Sequence, residues 1–553
     1  MTLTTYQKDI INYFNANPSS NMYINAKAGC GKSFIATQML KDVDKNSIYL
    51  AFNKSIAEEM KEKITNPKVK VCTIHSLCNS ILLYNLQQKV SKQGGLGKQR
   101  DTDSKLDNLK IYRIINDILV QDQDVKRDFE YKTFLTENYV KLYNLVRLKV
   151  IDLEKGYEAK DKIKEVIKEQ GLFFHEIYGG VSSDIALKVI RQIDVQSLLL
   201  FEKEKIYDFT DMLYITLKKL RNKEWVVPGW NYYSNIVADE SQDLSTIQLF
   251  LLKYFKRQGG RYVFILDYRQ AIYAFAGANC GSYMLIKKLF APITEFELPI
   301  NYRCARSHLD LVNKLHHIGI KPCDTAPEGK IKTISKQSCV DLAEAGDYIV
   351  GRKNKWLFPI ILELIKKGKP VYIKDDTLVK DIEKIIDKSS FDSIVDLERY
   401  IINKQKRLKK KIEETSNKAK ETNEEETQVN PEDNVTIEKQ TEDKSGQLET
   451  LSILQMLLAA FKENYTTHSK SQFLKYVKSI LNTTSSNECI MVSSIHCVKG
   501  LEAQNVFVLN EGKTVIDGTM SSDQKQQEFN LSYVSLTRAK ENLYLVRAEG
   551  EEY

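Results

Sequence analysis

The segment AKAGCGKS combines the residue types that can hold a nucleotide phosphate. Its two glycines allow backbone N–H groups to turn toward an anion, its lysine can reach the β- and γ-phosphates, and its serine can ligate Mg²⁺. An alanine stands where such loops usually have their first glycine, and the cysteine is a small residue inside the loop. An apolar run precedes the segment, and a helical pattern follows it. We therefore predict a phosphate-binding loop formed by Ala26, Gly29, Cys30, Gly31, Lys32 and Ser33.

A pair of acids follows another apolar run, in the sequence NIVADESQD. Nucleotide hydrolysis needs a metal clamp and an oriented water molecule. We predict that Asp239 holds Mg²⁺ through its coordination shell, together with Ser33, and that Glu240 polarises the attacking water. Either motif alone is common in ordinary turns, but the two together indicate a nucleotide-hydrolysing site.

The composition is that of a globular protein with a mild positive charge. A length of 553 residues corresponds to about three or four structural units. Lys plus Arg number 81 and Asp plus Glu number 73, and the net charge of +8 is compatible with a polyanionic partner without requiring one.

The nine cysteines form no CxxC pair and no Cys/His cluster, so we expect a reducing compartment, no disulfides and no structural metal. The chain has no apolar signal core and no run of membrane-spanning length. We expect a soluble cytoplasmic protein, or a nuclear one if its source is eukaryotic or viral, with no membrane partner.

Ten short apolar runs bounded by turn residues alternate with stretches of helical periodicity, which predicts parallel α/β sheets. The runs fall into two groups, and a mainly helical stretch interrupts each group. The predicted parts are a first lobe (1–84 and 200–294), its helical insertion (85–199), a second lobe (295–375 and 485–553) and a reduced helical insertion (376–484).

Residues 404–447 contain few large apolar side chains, and their charge is first basic and then acidic. Such a segment cannot bury enough apolar surface to offset the loss of chain entropy. We expect it to be disordered or to form an isolated exposed helix. Its basic run at 404–411 could contact nucleic acid, act in nuclear import or simply be a solvated surface.

Further motifs follow in order along the chain: TTYQKDI, YLAFNKSIAEEM, TIHSLC, YDFTDML, LDYRQAIYAFAGA, LPINYRCARS, VSSIHCVKGLEAQNVFVL and NLSYVSLTRAKENLYLV. With the phosphate loop and the acidic pair, they resemble the superfamily 1A helicases of the UvrD/Rep/PcrA type, and some segments are closer to the F-box helicase subgroup. The resemblance covers both lobes. It implies an α/β fold with two RecA-like lobes of the P-loop NTPase class, and it implies ATP and Mg²⁺ as cofactors.

The resemblance also implies roles around ATP. Gln7 corresponds to the glutamine that reads the edge of adenine, Tyr302 to the residue on its face, and Glu502 to the ribose contact. Asp267 and Gln270 stand where the family senses the γ-phosphate. Closure of the lobes would place two arginine fingers next to the γ-phosphate, where their planar guanidinium groups match the phosphate and neutralise the negative charge of the transition state. These fingers are Arg303 and Arg538.

The same resemblance places single-stranded DNA against aromatic and polar side chains. Stacking suits a motor because every base has a π-face, so grip does not depend on sequence. Phe52 and His75 could equally be satisfied residues at strand ends. The third motif has Leu266 in place of the usual glycine, and Ala276 in place of an arginine that contributes to coupling in the family. The candidate contacts are Phe52, Asn53, His75, Tyr273, Phe275 and His496.

These observations predict an ATP-dependent translocase on single-stranded DNA and a DNA helicase that moves 3′ to 5′ and acts at duplex junctions, in repair or replication. An alternative is a nucleic-acid-stimulated ATPase that senses DNA or recruits a nuclease or a replication or repair factor, with little unwinding of its own. Ala276 and the short second insertion favour that alternative. A P-loop kinase is a third possibility, but it would lack the arginine motifs of the second lobe.

Overall fold

The ten apolar runs form parallel strands in the computed structural model. The strands are divided between two units, Met1–Pro299 and Ile300–Tyr553. The structure describes residues 3–92, 104–121, 129–170, 172, 183–273, 281–374, 382–386, 393–424, 447–448, 450–463, 465, 469–481, 488–512, 520 and 522–547.

Six strands form the sheet of the first unit: β1 (Asn21–Ala26), β2 (Ser47–Ala51), β3 (Val69–Thr73), β6 (Tyr233–Ala238), β7 (Lys256–Leu266) and β8 (Ile293–Leu298). Their order is β3-β2-β6-β7-β1-β8, and every pairing is parallel. The inner strands are buried on both faces, which explains their almost continuous apolar sequences. Because the strands are parallel, the residues that follow them lie along one edge of the sheet.

Helices connect and cover these strands. Their bounds are α1 (Thr5–Ala16), α2 (Lys32–Leu40), α3 (Lys54–Lys63), α4 (Ile74–Lys92), α9 (Asp211–Arg221), α10 (Thr246–Leu252) and α11 (Ser282–Leu289). The core between sheet and helices contains Leu77, Leu213 and Phe264, each with no exposed surface.

The helical insertion of the first unit has a core of its own. Its helices are α5 (Lys110–Leu119), α6 (Phe129–Lys149), α7 (Gly156–Gln170) and α8 (Ser183–Glu204). Ile115, Leu142, Ile163 and Ile190, one from each helix, are fully buried together. A short parallel pair, β4 (Lys105–Leu106) and β5 (Ile206–Tyr207), joins the two ends of the insertion.

The second unit begins with a parallel pair, β9 (Ile300–Asn301) and β10 (Lys321–Pro322). Its main sheet has the order β11-β16-β15-β12-β14-β13, and all of its pairings are parallel. The strand bounds are β11 (Lys330–Ile334), β12 (Tyr348–Gly351), β13 (Val371–Ile373), β14 (Ile490–Ser494), β15 (Ala503–Leu509) and β16 (Ala539–Val546).

Helices also pack around the sheet of the second unit. Among the described residues they include α12 (Arg306–His316), α13 (Lys336–Leu342), α14 (Asn354–Lys366), α15 (Ile394–Glu424), α16 (Lys470–Leu481) and α17 (Ser522–Leu536). Helices α13 to α16 share one core with the sheet. Ile401 of α15 and Phe473 of α16 are fully buried in the same cluster as Val492 of β14. The second unit is therefore also an α/β layer structure, and both units have the RecA-like architecture that the resemblance implies.

The charged segment predicted at residues 404–447 is helical over 404–424 as part of α15. This helix is not isolated, because Ile401 and Leu408 of its earlier turns pack into the core of the second unit. Lys406, Arg407, Lys409 and Lys410 are exposed. Residues 425–446, where the acidic half of the segment lies, fall outside the described residues.

Two strands of the six-stranded sheets, β8 and β11, were not predicted, and neither were the four two-residue strands β4, β5, β9 and β10. Strands β8 and β11 each form an edge of a sheet, and neither has a continuous apolar run, because an edge strand exposes much of its surface. The pairing of β8 with β1 carries the first unit to Pro299, five residues beyond the predicted end of the first lobe at 294. Helices α4 and α8 run through the predicted insertion boundaries at 85 and 199.

Candidate nucleotide and nucleic-acid sites

The phosphate loop connects the end of β1 to the start of α2. Gly29 and Gly31 have φ angles of 66° and 78°, in the left-handed region where a side chain would be strained. Gly31 directly precedes the first residue of α2, so the loop presents the positive end of a helix, which is a favourable place for an anion. The cysteine of the loop, Cys30, is buried.

Gln7 lies beside this loop. The first turn of α1 holds it in a capping box, in which Thr4 N–H donates to Gln7 Oε1 at 3.1 Å. A Cβ atom placed on Gly31 would lie 4.0 Å from Gln7 Nε2. The side-chain amide is thus positioned next to the loop, as the resemblance requires of a residue that reads a base held there.

The acidic pair follows β6, the neighbour of β7, which is itself the neighbour of β1. Asp239 is buried and accepts hydrogen bonds from Tyr49 Oη at 2.5 Å and from the Glu240 backbone N–H at 2.9 Å. Burial, followed by the nearby charge of Glu240, raises the pKa of Asp239 above its ordinary value. Tyr49, from the middle of β2, is a partner that sequence reasoning missed because it is distant from Asp239 in the chain.

Lys32 Nζ lies 2.6 Å from Glu240 Oε1, and both side chains are largely buried. Burial alone would lower the pKa of Lys32, but the charge of Glu240, with those of Asp239 and Asp267, raises it. Glu240 has a φ angle of 47°, a left-handed conformation that is uncommon for a residue with a side chain. The phosphate loop and the acidic pair therefore meet in one buried ion pair, held by a strained backbone.

Gln242 connects the acidic pair to the third motif. Its Nε2 donates to Glu240 Oε2, and its Oε1 accepts the Asp267 backbone N–H at 3.1 Å. Asp267 Oδ2 in turn accepts from Gln270 Nε2 at 2.7 Å. The sequence predicted the positions of Asp267 and Gln270 but not the bridge through Gln242, which lies in the same motif as the acids.

These residues fit a nucleotide with a divalent cation. Three carboxylates interact with one lysine, and the charge of Glu240 adds to burial in raising the pKa of Asp239. The site therefore has a surplus of negative charge that a cation would offset. Magnesium takes few protein ligands and shares the rest with phosphates and water. Among the described residues, no group of three or more His, Cys, Asp or Glu side chains could hold a metal ion by itself. Asp239 and Ser33 stay the predicted ligands.

Two aromatic pairs occupy the same edge of the first sheet. The rings of Phe52, which follows β2, and Tyr273 stack with centroids 5.2 Å apart and planes at 24°. Asn53 accepts the Ile56 N–H at 2.9 Å and so caps α3, a structural role that the sequence did not predict for it. Phe52 and Tyr273 are thus brought together, and their contact with bases stays a prediction.

The second pair consists of His75 and Phe209. Their rings stack with centroids 4.1 Å apart and planes at 18°. Burial lowers the pKa of His75 to about 4, so the imidazole is neutral near pH 7. The side chain of Phe209 is 52% exposed although it is large and apolar. Sequence reasoning recognised its motif, YDFTDML, but missed Phe209, because nothing in the local pattern distinguishes an exposed ring from a buried one.

In the second unit, Arg303 and Glu502 form an ion pair. Arg303 Nε lies 2.5 Å from Glu502 Oε2, and Lys540 Nζ lies 2.8 Å from Glu502 Oε1. Burial alone would raise the pKa of Glu502, but Arg303 and Lys540 lower it, so the carboxylate is ionised near neutral pH. Arg303 Nη1 also donates to the carbonyl of Thr537 at 3.3 Å. Lys540 was not predicted as a site residue, although it lies in a recognised motif.

Arg538 has a different environment from Arg303. It is 1% exposed, and its guanidinium donates to the carbonyls of Val534 at 2.8 Å and Leu501 at 3.2 Å and to Thr537 Oγ1 at 2.9 Å. Arg538 therefore has a structural role inside the second unit, and its role as an arginine finger stays a prediction.

The remaining predicted residues are partly accounted for. Tyr302 is 45% exposed, which suits a ring that stacks on a base, and His496 is half-buried after β14. Phe275 and Ala276 lie outside the described residues, and Leu266 is fully buried at the end of β7. In the part of the chain that the structure describes, no helix has both the length and the apolar character needed to cross a bilayer.

Comparison with known proteins finds helicase domains in both units of the chain. The family model of the UvrD/REP helicase N-terminal domain matches residues 3–291, and that of the UvrD-like helicase C-terminal domain matches residues 490–546. A probable DNA helicase II homolog of Mycoplasma capricolum is 22% identical, over 96% of this chain and 82% of its own length. Another, from Rickettsia conorii, is 24% identical over 95% and 90%, respectively.

Shorter matches reach higher identity. The ATP-dependent DNA helicase Rep of Buchnera aphidicola (subsp. Schizaphis graminum) is 31% identical over 114 residues, which cover 20% of this chain and 17% of that protein. The first family model alone covers more than half of the 553 residues and spans the phosphate loop, the acidic pair and the third motif. The chain therefore belongs to the UvrD/Rep family of superfamily 1A DNA helicases, which are ATP-hydrolysing enzymes.

Proposed function

We propose that this protein is an ATP-dependent translocase on single-stranded DNA that unwinds duplexes at junctions with 3′-to-5′ polarity. The observation that carries the proposal is the arrangement along one edge of the first sheet. The phosphate loop, the acidic pair and the third motif follow the adjacent strands β1, β6 and β7, and the two aromatic pairs lie at the ends of strands beside them. The third motif would contact both ligands, the nucleotide and the DNA, because it contains the predicted γ-phosphate sensors Asp267 and Gln270 and one ring of the first aromatic pair, Tyr273.

The chemistry follows from the ion pair between Lys32 and Glu240. A bound phosphate would compete with Glu240 for the ammonium group of Lys32, because both are anions within reach of one cation. Glu240 released in this way can orient and deprotonate a water molecule. Asp239 and Ser33 would hold Mg²⁺, which supplies charge neutralisation at the phosphates. Binding of the nucleotide would thus itself release Glu240 to act as the general base.

The route from nucleotide to DNA runs through the third motif. Gln242 contacts both Glu240 and Asp267, and Asp267 contacts Gln270, three residues before Tyr273. A change at Glu240 would therefore reach, in a few hydrogen bonds, the loop that carries one ring of the aromatic pair. Phe52, Tyr273, His75 and Phe209 offer stacking surfaces that accept any base, as a motor on DNA requires.

The second unit would contribute Arg303 and Arg538 as arginine fingers, and Tyr302 and Glu502 at the adenosine. These roles come from the family resemblance. Arg303 is the better placed of the two arginines, since it is bound to a carboxylate that a phosphate could replace, whereas Arg538 is bound to main-chain carbonyls.

Steady-state ATP hydrolysis with no nucleic acid, single-stranded DNA, duplex DNA and single-stranded RNA tests the proposal. We expect strong activation by single-stranded DNA, and a loss of at least about a hundredfold in Lys32→Ala and in Glu240→Gln. Activity retained in Glu240→Gln would refute the assignment of the base. Strand displacement with either a 3′ or a 5′ single-stranded tail then tests polarity, and unwinding from the 5′ tail alone would contradict the proposed direction.

A second candidate is an ATPase subunit that needs a protein partner. It is favoured by a match of 33% identity over 138 residues to a protein named RecBCD enzyme subunit RecB from Borreliella burgdorferi, which covers 23% of this chain and 12% of that protein. DNA-activated hydrolysis without strand displacement by the isolated chain would support this candidate, and efficient unwinding by the chain alone would exclude it.

A further inference from the structure

A buried cluster of four charged side chains connects the helical insertion to the motif YDFTDML. Arg147 of α6 binds Asp208 with two hydrogen bonds, from Nη1 at 3.0 Å and from Nη2 at 2.8 Å. Arg147 Nη1 also reaches Asp211 Oδ1 at 2.6 Å, and Lys110 Nζ of α5 reaches Asp211 Oδ2 at 2.7 Å. The insertion supplies both cations, and the residues that lead into α9 supply both acids.

The four charges are isolated from solvent and balance one another. Arg147, Lys110 and Asp211 have side chains with no exposed surface, and that of Asp208 is 9% exposed. Burial alone would lower the pKa of Arg147, but the two aspartates raise it, so the guanidinium keeps its charge. Removal of one member would leave an unpaired charge in the interior, which is costly.

The cluster also fixes the turn between the two aspartates. Asp208 N–H donates to Asp211 Oδ2 at 3.1 Å, and Asp211 N–H donates to Asp208 Oδ1 at 2.6 Å. Asn144 Oδ1, one turn before Arg147 on α6, accepts from both Arg147 Nη2 and Thr210 Oγ1. Side chains from the insertion therefore hold every residue of this turn except the exposed Phe209.

Phe209 stands between the two clamped aspartates, and its ring covers His75. An exposed aromatic ring can change rotamer, so the stacking of Phe209 on His75 depends on where the backbone on either side directs the ring. Directional hydrogen bonds from a planar guanidinium set that backbone more narrowly than an apolar contact would. An apolar interface would have sufficed to attach the insertion, since buried ion pairs add little stability over well-packed apolar groups.

We propose that Arg147, through its clamp on Asp208 and Asp211, is a positioning residue that sets Phe209 over His75 as a base-stacking platform, so that the helical insertion controls a DNA contact of the first sheet. This inference rests on the proposed function, and it gives the insertion a role in the grip on single-stranded DNA.

The test uses a substitution that keeps the interior neutral. Arg147→Met with Asp208→Asn removes one positive and one negative charge and preserves volume, so the full-length chain should fold. The matched control is Arg191→Met, which removes two hydrogen bonds from the Arg191 guanidinium to the carbonyl of Leu153, at 2.8 Å and 2.6 Å, inside the insertion. Phe209→Ala removes the platform itself.

We expect the double variant and the control to hydrolyse ATP without DNA at the rate of the unchanged protein. The concentration of single-stranded DNA that gives half-maximal activation should rise about tenfold in the double variant and in Phe209→Ala, and stay unchanged in the control. Adding Phe209→Ala to the double variant should cause no further loss, because the ring is already displaced. A normal response of the double variant to DNA, or a further tenfold loss in the combined variant, would overturn the proposal.

A second measurement is independent of activity. Nuclear magnetic resonance of labelled histidines, with His75 identified by its loss in His75→Gln, reports the pKa of this one among seven histidines. Because burial holds that pKa at about 4, displacement of the ring in the double variant should move it toward the ordinary value of 6.5. An unmoved pKa would count against the positioning role. If the unchanged protein showed no activation by DNA, the proposed function would fail, and the pKa would still decide whether Arg147 positions Phe209.

If the double variant does not fold, Arg147→Lys replaces it. Lysine keeps the charge but not the fork, so it can hold one aspartate at a time. We expect a smaller rise in the half-activating DNA concentration, with the pKa of His75 moved in the same direction. Wild-type behaviour in both measurements would show that the bidentate clamp is dispensable and would overturn the proposal.

Discussion

The motif residues of the two units have opposite charge balances. In the first unit Lys32 is surrounded by Asp239, Glu240 and Asp267, whereas in the second Glu502 is surrounded by cations, among them Arg303 and Lys540. In the first unit the single cation, Lys32, pairs with the acid Glu240. In the second unit the single acid, Glu502, pairs with the cation Arg303. The comparison teaches that each unit already holds its phosphate-binding candidate in an ion pair, so in the proposed mechanism a phosphate would compete with Glu240 for Lys32 and with Glu502 for Arg303.

The two candidate arginine fingers offer the sharpest way to break this comparison. Arg303 contacts a partly exposed carboxylate, and Arg538 satisfies two main-chain carbonyls from a buried position. We expect Arg303→Ala and Arg538→Ala each to lower DNA-activated ATP hydrolysis by about a hundredfold or more. Only Arg538→Ala should also lower the free energy of unfolding appreciably, by about 2–4 kcal/mol, because it leaves buried acceptors unpaired.

Chemical denaturation of both variants measures this difference, with Arg399→Ala as the control, since the Arg399 side chain is 76% exposed in the same unit. Arg303→Ala should destabilise the protein less than Arg538→Ala does, and Arg399→Ala should differ from the unchanged protein by less than about 1 kcal/mol. Equal destabilisation by the two finger substitutions would mean that burial does not separate their roles.

A smaller effect is expected at Glu502, where two roles compete. The family resemblance gives Glu502 the ribose, but its carboxylate contacts Arg303 and Lys540. If Glu502 acts by positioning Arg303, Glu502→Gln should lower kcat by about threefold to tenfold. The loss should be equal for ATP and for 3′-deoxy-ATP, because Glu502 would then make no contact with the sugar. A ribose contact would instead make the substitution harmless with the deoxy nucleotide.

The pH dependence of the Glu502 ion pair follows from the direction of the shift in pKa. The pKa of Glu502 is lowered in the folded chain, so the pair contributes fully above the ordinary glutamate value of 4.5 and is lost as the pH falls through the lower, folded value. Between pH 6 and pH 8 the ratio of rates of the unchanged protein and Glu502→Gln should therefore stay constant, and a ratio that varies there would assign the titration to another group.

Much of the fold and the centre of the site could be predicted because their signals are local. A buried parallel strand is a short apolar run, and the phosphate loop is a contiguous segment of eight residues. The edge strands β8 and β11 carry no such run, so the pattern could not indicate them.

The partners of the site residues could not be predicted, because they depend on which distant segments meet. Tyr49 and Asp239 are separated by 190 positions, and Arg147 and Asp211 by 64. The turn that carries Phe209 is clamped from another helix, and one of the two carbonyls that Arg538 contacts, that of Leu501, lies outside the motif of Arg538. Sequence order predicted the motifs, while the contacts between them required the fold.

The left-handed backbone of Glu240 has a consequence for how the protein can evolve. A residue with a side chain at this φ angle of 47° costs about 1 kcal/mol relative to glycine, and the site needs the carboxylate there. Of two variants that both lack it, Glu240→Gly should unfold at a higher denaturant concentration than Glu240→Ala, and the reverse order would mean that the turn is unstrained. Selection for thermal stability alone would therefore favour glycine at position 240, and only selection for ATP hydrolysis would retain the glutamate.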